Sequence, residues 1–116
     1  MSGSNSGIPC DGWWHQELFG RQPMDDLRLK FDGGGISGSG RDIIGPFTFR
    51  GRIDEQGHVA MIKQYIGQHS VDYIGTYDGE GLLHGEWHIG NSKDRWLIRI
   101  KGSPAGAAQT DIAIVE

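Results

Sequence analysis

One cysteine and four prolines in 116 residues deprive this chain of two common constraints on a small fold. A single thiol, Cys10, cannot close an internal disulfide, so packing and sheet hydrogen bonds must hold the structure. Cys10 stands in the polar opening MSGSNSGIPC and is read as an incidental exposed thiol, because a flexible setting offers no fixed charge to activate a thiolate. The same opening lacks a basic stretch followed by an apolar one, so it is not read as a secretory signal, and the expected localisation is cytoplasmic. No apolar run approaches the roughly 18 residues needed to cross a bilayer, and no membrane partner is expected. Positive charge is also sparse, with 11 Lys and Arg against 15 Asp and Glu. Without clustered cations to displace counterions from phosphates, no nucleic acid partner is expected. Finally, no segment longer than a turn shows a 3.6-residue period, so helices are not expected to build the fold.

Glycine, by contrast, is abundant at 20 residues. It follows no triplet period and, past the first seven residues, no low-complexity block, so collagen and disorder are both excluded. The glycines punctuate short alternating segments. GWWHQEL comes first, then DDLRLKFD, in which Leu27, Leu29 and Phe31 oppose Asp26, Arg28 and Lys30. The turn DGGG (Asp32 to Gly35) leads into GISGSGRD, followed by PFTFRGRI, HVAMIKQY, SVDYIGTY, LLHGEWHI and RWLIRIKG. Eight strands joined by short turns favour nearest-neighbour antiparallel pairing and closure without exposed edges. The expected fold is therefore all-β, a single eight-stranded antiparallel up-and-down β-barrel. Residues 1–11 are expected as a flexible leader, 12–102 as the barrel domain, and 103–116 as a tail or linker in which DIAIV is compatible with a short extra strand. Alternation nominates Leu27, Leu29, Phe31, Phe47, Phe49, Val71, Tyr73, Trp87, Ile98 and Ile100 as one core, with Arg28, Lys30, Arg50 and Arg52 outside. Gly75 and Gly85 fall at inward positions, where a missing side chain relieves crowding on curved strands.

The succession GWWHQ, GGISGSGRD, VDYIGTYDG and GEWHIG resembles the avidin and streptavidin family. Barrels of that family carry a Gly-x-Trp opening, a second-hairpin Gly-x-x-Gly, a sixth-strand Trp-x-Gly-x-Tyr and a seventh-strand Trp. The resemblance implies an eight-stranded barrel with a small-molecule site. By position, Trp14 matches the first-strand Trp, and Gln16 the Asn that meets the ligand head group. Asp42 matches a second-hairpin Ser, while Tyr73 and Trp87 match pocket Trp residues. Gly40 stands where the family places a Tyr that donates to the ligand carbonyl. With that donor missing and an acceptor-only carboxylate at Asp42, biotin is not the expected ligand, and the space above Gly40 suits a bulkier or cationic one.

Other chemistry finds little support. His84 and His88 share a strand face, but four extended residues separate their Cβ atoms by roughly 13 Å, too far to share an ion, so no metal or cofactor is expected. GSGRD is not followed by the helix that a phosphate-binding loop needs. Asp42 lacks an identifiable nucleophile or second titrating group, which argues against an enzyme; hydrogen bonding to a neighbouring strand turn before IIGPF is the simpler role. Lys63 faces inward with Met61 and Tyr65, at the barrel mouth, where a lysine can reach water. Trp14, Tyr65, Tyr73, Tyr77, Trp87 and Trp96 point to one interior, with Gln16 and Asp42 as its polar groups. Two readings remain open. One is a binding module holding a small molecule or peptide end among Trp14, Gln16, Asp42, Tyr73 and Trp87. The other is a structural or protein-interaction barrel with a filled interior.

Overall fold

A computed structural model describes residues 7–102. The expectations for the first six residues and for the 103–116 tail lie outside the described residues. Eight strands follow one another with only turns and short loops between them: β1 (Ile8–Gln16), β2 (Gly20–Asp32), β3 (Gly35–Arg41), β4 (Pro46–Ile53), β5 (His58–Tyr65), β6 (Ser70–Tyr77), β7 (Leu82–Ile89) and β8 (Ser92–Ile100). Each pairs antiparallel with the next, and β8 returns to β1, so the sheet closes into the expected up-and-down barrel.

Strands β4 to β7 coincide with the segments read from alternation, but the chain's two ends differ. β1 begins at Ile8, ahead of Gly12, and Cys10 is buried opposite Ile100 rather than exposed in a leader. A small apolar side chain at an inward position of a paired strand packs as a core residue, whatever its polar surroundings in sequence. β2 starts at Gly20, well before Asp25, and carries Pro23 opposite Trp13 of β1. This first half of β2 pairs with β1 alone, since β3 joins only from Asp25 onward, and a strand with one free edge tolerates a residue without an N–H. The register then shifts between Asp25 and Arg28, with Asp26 at φ 53°. That bulge inserts one extra residue, which is why Met24 and Leu27 both face inward although three positions apart.

Nine of the ten expected core residues are buried, and Phe31 is partly so, stacked on Tyr77 near one end. Arg28, Lys30, Arg50 and Arg52 are exposed. Gly75 and Gly85 face each other across β6 and β7, and a Cβ on either would collide with the other strand's backbone. The up-and-down order places the β1–β2, β3–β4, β5–β6 and β7–β8 connections at one end, the mouth. There Leu18, Phe19, Ile43, Ile66 and Ile89 are exposed. The opposite end carries Asp32, Asp54, Glu55, Asp78 and Glu80 in or beside glycine turns. The mouth thus exposes five large apolar side chains, alongside the polar Glu17, Asn91 and Lys93, and the other end is acidic.

Candidate functional site

Strand alternation sends Trp14 from β1, Lys63 and Tyr65 from β5, and Tyr73 from β6 into the barrel near its mouth. Among them sits Asp42, just past β3, its side chain fully buried. Its position is set locally. The Asp42 backbone N–H donates to Gly45 O at 3.1 Å, and Oδ1 accepts from the Ile44 N–H at 2.9 Å, closing the loop before β4. That is the turn-capping role expected of it. Oδ2 does more, accepting from Lys63 Nζ at 2.6 Å, Tyr65 OH at 2.8 Å and Trp14 Nε1 at 3.0 Å.

Lys63 was expected to reach water at the mouth; it is instead 1% exposed and paired with Asp42. A buried carboxylate within hydrogen-bond reach outweighs the pull of solvent, because two unpaired charges in the interior would each carry a large desolvation penalty. Nζ also donates to Tyr73 OH at 3.2 Å, and stands 4.3 Å from the Phe47 ring centroid, 4.9 Å from Tyr65, 5.3 Å from Tyr73 and 5.4 Å from Trp14. The chain's own ammonium thus occupies an aromatic cage, an arrangement worth about 2 kcal/mol or more when desolvated. Burial pushes the Lys63 amine down to about 8, against the opposing pull of Asp42. Burial, and then Asp42, raise the hydroxyls of Tyr65 and Tyr73 well above the ordinary tyrosine range.

Toward solvent from this floor lies a cavity of about 170 Å³, lined by Trp14, Tyr65, Tyr73 and Trp87, with Phe19, Ile44 and Val71 among the apolar groups around it. Of the five residues nominated from sequence, Trp14, Gln16, Tyr73 and Trp87 line this cavity, while Asp42 does not and reaches it only through its hydrogen bonds with Trp14 and Tyr65. Gln16 is less available than expected: its Oε1 accepts from the N–H groups of Leu18 at 2.7 Å and Phe19 at 2.9 Å, fixing the β1–β2 turn. Trp87 is anchored by an indole bond to His15 O at 2.8 Å. The hollow at the opposite end, between Phe31, Ile53, Tyr77 and the glycines of the β2–β3 turn, is more open and has no comparable buried polar floor. Among the described residues, no three His, Cys, Asp or Glu side chains are grouped to hold a metal ion.

Sequence reasoning placed Tyr65 and Lys63 inside but missed that they meet Asp42. The available signal was a lysine at an inward strand position, which demands a buried counter-charge, with Asp42 in the loop at the same end of the barrel. No family model, no curated protein and no solved structure matches the chain. The closed antiparallel barrel is consistent with a calycin-like fold, and the avidin resemblance rests on short motifs alone.

Proposed function

We propose that this protein is a small β-barrel binding module that takes a small molecule at the mouth of the barrel, and that biotin is not its ligand. The observation that carries this reading is the roughly 170 Å³ cavity walled by Trp14, Tyr65, Tyr73 and Trp87. Aromatic walls with a few placed polar groups are the usual composition of a small-molecule site. These walls are held in place, since Trp14, Tyr65 and Trp87 are each fixed by a hydrogen bond. Lys63 and Asp42 fill the interior below, which shortens the space available to a long ligand such as biotin.

A fragment screen read by tryptophan emission tests the reading, with Val71→Trp as the control that fills the cavity from its wall. Saturable quenching in the parent that disappears in Val71→Trp supports it. Biotin is expected to give no saturation at nanomolar concentration; if it did, the exclusion of biotin would fall. A second reading, a structural or protein-interaction barrel, is favoured by the filled lower interior and by the exposed Leu18, Phe19, Ile43, Ile66 and Ile89 around the mouth. It gains ground if no fragment produces a response up to millimolar concentration.

A further inference from the structure

Building on the binding role proposed above, we infer that the mouth cavity selects an uncharged, single-ring ligand bearing a hydrogen-bond acceptor such as an amide or ketone oxygen. Tyr65 and Tyr73 of the cavity wall belong to a buried network that carries more donors than acceptors. Asp42 Oδ2 already receives three hydrogen bonds, one of them using the only hydroxyl proton of Tyr65. Tyr73 OH accepts from Lys63, and its own proton finds no acceptor among the described residues, although Tyr73 is 1% exposed and lines the cavity. The ammonium of Lys63 has three N–H groups and two hydrogen-bond partners, Asp42 and Tyr73. Trp96, tilted against the Tyr73 ring at 5.1 Å, has a buried indole N–H with no hydrogen-bond partner among the described residues. A buried donor left unmade is costly, and a ligand oxygen reaching Tyr73 removes that cost.

Charge narrows the class. Asp42 and Lys63 cancel each other, so the floor is neutral as it stands. A carboxylate or a cation added to the cavity would be a desolvated charge without a counter-charge, because Asp42 and Lys63 already neutralise each other. Aromatic walls ordinarily invite a cation, but this cage already holds one. The space expected above Gly40 is also absent, since even a Cβ there would meet the Phe47 ring at 2.9 Å, so the case for a bulkier or cationic ligand falls. Size sets the ring count, because a cavity of about 150 Å³ holds one benzene ring.

Four probes of one shape separate the possibilities at pH 6.5: benzamide, benzoate, benzylammonium and toluene, titrated against the whole chain by tryptophan emission and by amide and indole NMR shifts. Benzamide should bind at least about tenfold more tightly than each of the other three, the scale expected for one buried hydrogen bond or one unpaired charge. Tyr73→Phe should bring benzamide down to the level of toluene and leave toluene unchanged. Equal binding of toluene and benzamide in the parent protein, or tightest binding of benzoate or benzylammonium, would overturn this selectivity while leaving the binding role intact. Failure of all four to bind a folded protein would overturn this selectivity, and the binding role itself falls only if the wider fragment screen is silent too. The parent series decides the matter on its own if Tyr73→Phe does not fold.

Discussion

Lys63 concentrates the energetics of the interior in one side chain. Its ammonium and the Asp42 carboxylate are both out of water, and each is tolerable only because of the other. Removing one partner of such a pair typically costs about 3–5 kcal/mol, because the remaining charge stays buried. Asp42→Asn keeps the volume and an acceptor oxygen for Tyr65 and Trp14 but strands the buried ammonium, and is expected to lower stability by that amount at pH 7. Adding Lys63→Met should recover most of the loss, since no charge then remains in the interior. Urea unfolding midpoints of the two variants measure both effects; an Asp42→Asn protein as stable as its parent would refute the pairing. Cys10 illustrates the same physics without a partner. Its thiol donates weakly to Ile8 O at 3.3 Å and is pushed up to about 11 by burial. Only about one molecule in a thousand carries a thiolate at pH 8 on that basis, and access is blocked as well. A disulfide reagent is therefore expected to modify Cys10 at least about a hundredfold more slowly in the native protein than in urea; equal rates would contradict its burial.

Between strands, the Gly75–Gly85 pair of β6 and β7 leaves no room for a side chain. A Cβ on Gly75 would meet His84 O and the Gly85 Cα, which are backbone atoms that cannot rotate away. Gly75→Ala must therefore part the two strands, and overpacking of this kind costs about 1–3 kcal/mol. The expected result is a lower denaturation midpoint with an unchanged m-value, whereas a stability equal to the parent's would show that the barrel is looser here than drawn. These elements were also the most legible ones. From β4 to β7 the sequence alternates without interruption between glycine turns, and the period of two fixes both the strand and its inward face. The first half of β2 was not legible, because Pro23 and the bulge at Asp26 break its period of two. The same division holds at the site. Trp14, Tyr73 and Trp87 could be placed by alternation along their own strands. The convergence of Asp42, Lys63 and Tyr65 depends on which side chains meet across the barrel interior, and no local period records that.

Taken whole, the molecule is polarised, with large apolar side chains exposed at the mouth above a buried ion pair and an acidic far end, and its stability should depend on pH in an unusual way. Asp54 and Asp94 are held below the ordinary carboxylate range by hydrogen bonds from His58 and His15, so their small contributions are present at neutral pH and fade only in acid. The alkaline side is governed by the interior. Lys63 releases its proton near pH 8 in the folded protein, whereas an ordinary lysine in the unfolded chain holds its proton to about 10.4. Across that window the unfolded state binds more protons than the folded one, so stability rises with pH, by at most about 1.4 kcal/mol per unit. Below pH 8 both states are protonated and the slope from this group vanishes. Tyr65 and Tyr73 act in the opposite sense. Their folded hydroxyls are raised far above the unfolded value of about 10, so their stabilising contribution is complete below that pH and is lost as pH rises beyond it. A stability maximum near pH 10 follows, rather than the decline above neutrality that loss of a simple salt bridge would produce. Urea unfolding from pH 7 to 11 should trace the rise and fall, Lys63→Met should flatten the rise, and a parent protein that weakens steadily from pH 8 upward would show that Lys63 keeps its proton in the folded barrel.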